Sequence, residues 1–82
     1  RIMEQKLRRD LNMGNNLRWL RYNAGFSQET LSAELQRRDC DISRSTYQKY
    51  ESGNLNIPIR VIITLKEIYG CTYDDFFKDL IK

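Results

Sequence analysis

No histidine occurs anywhere in this 82-residue chain, which removes the commonest general base and the commonest metal ligand. Only two cysteines are present, Cys40 and Cys71, and neither belongs to a CxxC pair. A metal site is therefore not expected. In a reducing compartment two free thiols are the simplest reading, with a structural disulfide as the alternative. There is no GxGxxG, no P-loop and no nucleophile elbow. With these missing, neither an enzyme nor a bound cofactor is expected. No apolar run approaches the ~20 residues that a membrane span needs. The opening RIMEQKLRRDLN lacks the apolar block of a secretion signal, so a cytoplasmic protein is the expectation. Low-complexity linkers and repeats are absent as well, and the length suits one domain with a modest core. Hydrophobic residues at 40% and charged residues at 30% argue against disorder.

What charge there is has a location. Residues 1–65 hold eleven Lys/Arg against seven Asp/Glu, a balance of +4, whereas residues 66–82 hold three against four, a balance of −1. The positive charge lies outside the C-terminal segment, as expected if one part of the domain faces a polyanion.

The chain reads as helices joined by short turns. Residues 1–12 form an N-terminal arm or short extra helix, with Met3, Leu7 and Leu11 at four-residue spacing, ahead of a single domain over 13–82. Asn12 is a candidate cap for a first helix that carries Leu17, Leu20 and Ala24 inward and stops at Gly25. Ser27 caps a second, with Leu31 and Leu35 facing the core. Ser43 and Gly53 bracket a third, about two turns long. A fourth starts with Pro58 in the first helical position and runs through Ile62, Leu65, Ile68 and Tyr69 to Gly70. Thr72 and Asp75 resemble a capping box opening a fifth short helix with Phe76, Phe77 and Leu80. The expectation is all-α: a compact bundle of about five helices.

The third helix carries the chemistry. At 100° per residue, Thr46, Tyr47 and Tyr50 fall on one arc and Arg44, Ser45, Gln48, Lys49 and Ser52 on the other, with Glu51 at the seam. The outer arc offers cations, hydroxyls and an amide but no carboxylate, where a solvated face normally mixes both signs. Two helices joined by a turn, the second short and polar-faced, make a helix-turn-helix candidate. The major groove of B-DNA admits one helix, and the residues near that helix's N-terminus reach base edges. Arg44 and Ser45 stand there, with Lys49 one turn on. The tyrosines would hold the helix on the core while the outer face meets the bases.

The stretches LRWLRYNAGFSQETLSAEL, ISRSTYQKYESG and LKEIYGCTYDDFF carry a resemblance covering roughly residues 13 to 80. They resemble the lambda-repressor-like helix-turn-helix domains, the Cro/cI type of phage repressors and the XRE regulators of bacteria. That resemblance implies an all-α domain that binds double-stranded operator DNA, commonly as a symmetric dimer. Residue by residue, it implies a phosphate contact for Gln28, base-facing roles for Arg44, Ser45 and Lys49, and a structural ion pair between Arg21 and Glu51. Ser43 and Gln48 join the candidate DNA-binding set from their place on the same helix. The sequence departs from the family pattern at Gln36–Ile42, which is longer than the usual connection. An extra turn through Arg38 and a tight corner at Asp39-Cys40-Asp41 would absorb the excess. Arg37 and Arg38 then either reach a phosphate or complement their own helix's C-terminus.

The functional expectation is a sequence-specific DNA-binding transcriptional regulator, a repressor of bacterial or phage type, acting as a weak homodimer. Its alternative is an antitoxin-like protein-interaction module that also binds DNA. Trp19, Tyr73 and Phe77 are open between core and dimer surface, with the segment after Gly70 the preferred place for a dimer contact.

Overall fold

A computed structural model describes residues 13–78. Four α-helices follow one another: α1 (Gly14–Asn23), α2 (Gln28–Arg37), α3 (Arg44–Ser52) and α4 (Ile59–Tyr69), then a 3-10 turn at Tyr73–Phe76. No strand occurs among the described residues, and the fold is all-helical. The arm with Met3, Leu7 and Leu11, the candidate cap Asn12 and Leu80 lie outside them.

The helix boundaries follow from their caps. Ser27 and Thr30 close a reciprocal box, Thr30 N–H donating to Ser27 Oγ at 3.0 Å and Ser27 N–H to Thr30 Oγ1 at 2.9 Å. Ser43 Oγ accepts from Thr46 N–H at 3.2 Å, which starts α3. Gly53 (φ 81°) and Gly70 (φ 66°) end α3 and α4 in the left-handed region, where a side chain would be strained. Two starts differ from the expected ones. The position before α1 is occupied by Met13, which makes no side-chain cap bond. Pro58 sits at the N-cap with ψ 152° and not inside the first turn, so α4 begins one residue later.

One core joins these elements. Leu17 and Leu20 of α1, Leu31 and Leu35 of α2, Tyr47 and Tyr50 of α3, and Val61, Ile62 and Leu65 of α4 are all buried, as are Cys40, Ile42 and Phe76. α3 packs against both α1 and α2, and the 3-10 turn packs against α1. The Tyr47 and Tyr50 rings meet edge to face at 6.2 Å, the favoured geometry for an aromatic pair. Ala24, expected inward, is exposed at the C-cap of α1. Both cysteines are free thiols.

The last element also departs from expectation. Asp75 Oδ2 accepts from Thr72 N–H at 3.0 Å and from its hydroxyl at 3.1 Å, but the segment winds as a four-residue 3-10 turn and not as an α-helix. Phe76 alone is inserted into the core, while Phe77 is exposed. The Asn16 side chain locks this turn by donating to the carbonyls of Phe76 and Lys78, both at 2.9 Å. With those carbonyls held by α1, the turn is anchored without help from a second apolar contact.

Candidate nucleic-acid interface

The corner between α2 and α3 sets the angle of the exposed helix. Arg38 caps α2, and Asp39 turns the chain with φ 65°, a left-handed conformation that Asp tolerates better than most residues. Cys40 N–H then donates back to Leu35 O at 2.8 Å, and Cys40 and Ile42 drop into the core. Gln36 closes the corner from above, its amide donating to Ile42 O at 3.2 Å. The lengthened connection is thus folded into a pinned turn, with its two apolar residues as anchors.

Beyond it, Arg44, Ser45, Gln48, Lys49 and Ser52 are all exposed, and Tyr47, Tyr50 and Glu51 are buried. Ser43 is committed to the cap: besides accepting from Thr46 N–H, its hydroxyl donates to Thr46 Oγ1 at 3.0 Å and lies 3.2 Å from Ser45 Oγ. Ser45, Arg44, Gln48 and Lys49 therefore present the outward groups.

Apart from Arg44 and Lys49, every described cation is engaged. Arg21 is paired with Glu51, and Arg18 lies 3.7 Å from the same carboxylate while donating to Asn15. Arg37 and Arg38 both grip Glu34, at 2.9 and 2.8 Å. Arg60 donates to Cys40 Sγ at 3.8 Å, Lys66 lies over the Tyr73 ring and Lys78 over Trp19. Of the described cations only Arg44 and Lys49, both on the outer face of α3, have side chains with no partner among the described residues.

Behind that face lies a buried polar hub. Arg21 Nε donates to Glu51 Oε2 at 2.7 Å and Nη2 to Oε1 at 3.1 Å, the two-pronged geometry that suits a guanidinium and a carboxylate. The remaining Nη1 donates to Phe26 O at 3.0 Å, tying α1 to the α1–α2 turn. Gln28, first residue of α2, donates its amide to Glu51 Oε1 at 3.1 Å. One carboxylate thus joins three helices. Burial pushes the Glu51 carboxyl up, but the hydrogen bonds from Arg21 and Gln28 outweigh it and hold the group below the usual carboxylate range. The same hydrogen bond to Glu51, working against burial, holds Arg21 protonated beyond its ordinary range.

The sequence-derived set divides on this geometry. Arg44, Ser45, Gln48 and Lys49 share one exposed face, and Arg21 and Glu51 meet as a buried pair. Gln28 sits at the hub, with one of its two amide hydrogens given to Glu51 and one remaining. Arg37 and Arg38 both pair with Glu34, three and four residues back, and both side chains stay exposed. That clamp was readable as i,i+3 and i,i+4 spacing. The Arg18 contact with Glu51 and the Asn16 lock on the last turn carried no local signal, since their partners are distant in sequence.

A family model described as a helix-turn-helix domain matches residues 12–76, most of the chain. The chain belongs to the helix-turn-helix domain family. Neither curated proteins nor solved structures give a match. In this helix-turn-helix domain, α2 and α3 are consecutive helices joined by a short turn at Asp39–Ile42. Membership points to DNA as the ligand class. Among the described residues, no helix is long and apolar enough to cross a membrane.

Proposed function

We propose that this helix-turn-helix domain is a transcriptional repressor of the Cro/cI (XRE) type, acting in the cytoplasm on double-stranded operator DNA without a cofactor or catalytic step. The observation that carries the reading is the isolation of Arg44 and Lys49. Seven described cations are engaged within the domain, and the two left without a protein partner stand on the acid-free face of the second motif helix. α3 would lie in the major groove, with Arg44 and Ser45 near its N-terminus reaching base edges and Lys49 one turn behind. Arg44 and Lys49 suit guanine O6 and N7, and Ser45 and Gln48 add more permissive contacts.

Gln28 takes a positioning role at a phosphate, through the amide hydrogen not given to Glu51. Such a contact fixes register and carries no sequence information directly. Two domains related by a two-fold axis would read the halves of a roughly palindromic site. Selection of binding sites from random duplexes tests the reading. It should return an enriched motif with two-fold symmetry, and recovery of no motif would count against it.

A further inference from the structure

The hub around Glu51 holds one more positive charge than it can balance. Arg21 takes both oxygens of the carboxylate, at 2.7 and 3.1 Å, and that pair is neutral as it stands. A second guanidinium reaches the same group: Arg18 Nε lies 3.7 Å from Glu51 Oε1. At that length the contact is an ion pair and not a hydrogen bond. Through Nη1, Arg18 donates at 3.2 Å to Asn15 Oδ1, an uncharged acceptor. Two guanidiniums thus share one carboxylate, and no other described carboxylate lies within ion-pair distance of either. The resulting charge of +1 has a place. The Arg21 and Glu51 side chains are almost wholly buried, whereas that of Arg18 is 45% exposed. The surplus stands at the surface on Arg18, whose Nε and Nη2 hydrogens meet no hydrogen-bond acceptor among the described residues.

Beside that charge stands Gln28. Its amide donates to the same Glu51 Oε1 at 3.1 Å, and its second amide hydrogen remains. Two donor groups, one cationic and one neutral, therefore converge on one oxygen, from α1 and from the start of α2. Glu51 belongs to the last turn of α3, so both groups flank that helix. A helix lying in the major groove has the sugar-phosphate backbones on its flanks, where contacts position the protein. We propose that Arg18 is a further DNA contact, its guanidinium binding the same backbone phosphate that Gln28 meets. Arg18 supplies the charge of this clamp, Gln28 supplies a neutral donor, and neither reads a base. Because Arg21 alone neutralises Glu51, Arg18 can turn to a phosphate without stranding a buried charge.

The inference rests on the DNA-binding reading above, and its test separates the two. Dissociation constants of the full chain are measured across salt concentrations on the selected site and on a scrambled duplex. Wild type is compared with Arg18→Gln, Arg18→Lys and Gln28→Ala. Each phosphate neutralised by a cation adds about 0.9 to the slope of log affinity against log salt. Arg18→Gln should lower the slope by about that amount on both duplexes, so its loss is about threefold larger near 50 mM salt than near 200 mM. Arg18→Lys, which keeps the charge, should keep the wild-type slope. Gln28→Ala should weaken both duplexes at an unchanged slope, because a neutral donor displaces no counterion. Thermal unfolding of Arg18→Gln should match the wild type, since an exposed ion pair contributes little. A wild-type slope in Arg18→Gln, or a loss confined to the selected site, overturns the inference and leaves the DNA-binding reading in place. A purely structural Arg18 would give that unchanged slope together with a lowered melting temperature. A wild type that binds neither duplex at any salt overturns both.

Discussion

Arg21 of α1 and Glu51 of α3 are both almost wholly buried, and each uses two atoms to hold the other. This pair sets α3 on the rest of the domain, with Gln28 of α2 bonded to the same carboxylate. Removing either partner strands a buried charge, which costs about 3–5 kcal/mol. Arg21→Ala and Glu51→Ala should each destabilise the fold by that order. The double variant should lose clearly less than the two singles combined. A double-mutant cycle by urea denaturation checks this, and additive losses would mean the side chains are not coupled.

The hub also fixes an acid limit. Because the folded Glu51 carboxyl titrates below its unfolded value, near pH 4, it contributes stability that is fully present above that value. The contribution is lost as pH falls through the lower, folded value. Urea unfolding from pH 7 to pH 3 should show stability dropping below about pH 4. Glu51→Gln, less stable at neutral pH, should show a flatter acid limb. An identical limb in both proteins would assign the acid sensitivity to other carboxylates, such as the half-buried Glu34 and Asp75, whose donors also lower them.

Asp39 offers a test of the corner. Its φ of 65° suits glycine better than any other residue, and a β-branched side chain there is a genuine outlier. Asp39→Gly should leave stability unchanged or raise it by up to about 1 kcal/mol, while Asp39→Val should lower it by more than about 1 kcal/mol. Thermal unfolding of the two variants compares them directly. Equal stability in both would mean that the corner relaxes to an ordinary backbone conformation.

Caps and apolar spacing made most of the fold legible. Ser27, Ser43, Gly53 and Gly70 mark helix ends in the sequence because each supplies a specific bond or conformation at the place where regular bonding stops. The inward faces of α2 and α3 follow from Leu31, Leu35, Tyr47 and Tyr50 at helical spacing. Phe77 shows the limit: a 3-10 turn rotates by about 120° per residue against about 100° for an α-helix. The sequence places both Phe76 and Phe77 on the last helix and leaves Phe77 open between core and surface, because which aromatic turns inward depends on that winding. Of the candidate site, the exposed face of α3 was readable from its lack of acids. The partners of Gln28 and Arg18 were not, because Glu51 reaches them only after three helices have packed. The Glu34 clamp on Arg37 and Arg38 was written in the spacing of the three residues.

Positioning and reading should separate at the level of single residues. Gln28→Ala should weaken binding to matched and scrambled duplexes by similar factors, because its expected contact is to the backbone. If Gln28→Ala weakened only the matched duplex, the residue would belong to base readout, directly or through the angle of α3. Its thermal stability, measured alongside, reports how much the lost bond to Glu51 contributes.

The proposed function makes bases the partners that Arg44 and Lys49 lack among the described residues. Its most direct test is titration of wild type, Arg44→Ala and Lys49→Ala against the selected operator and a scrambled duplex of equal length, at one fixed salt concentration. Each substitution should cost on the order of 1–3 kcal/mol on the operator and markedly less on the scrambled duplex, so that the preference between them narrows. Equal losses on the two duplexes would contradict the account, leaving Arg44 and Lys49 as phosphate contacts and the sequence reader somewhere else on the domain.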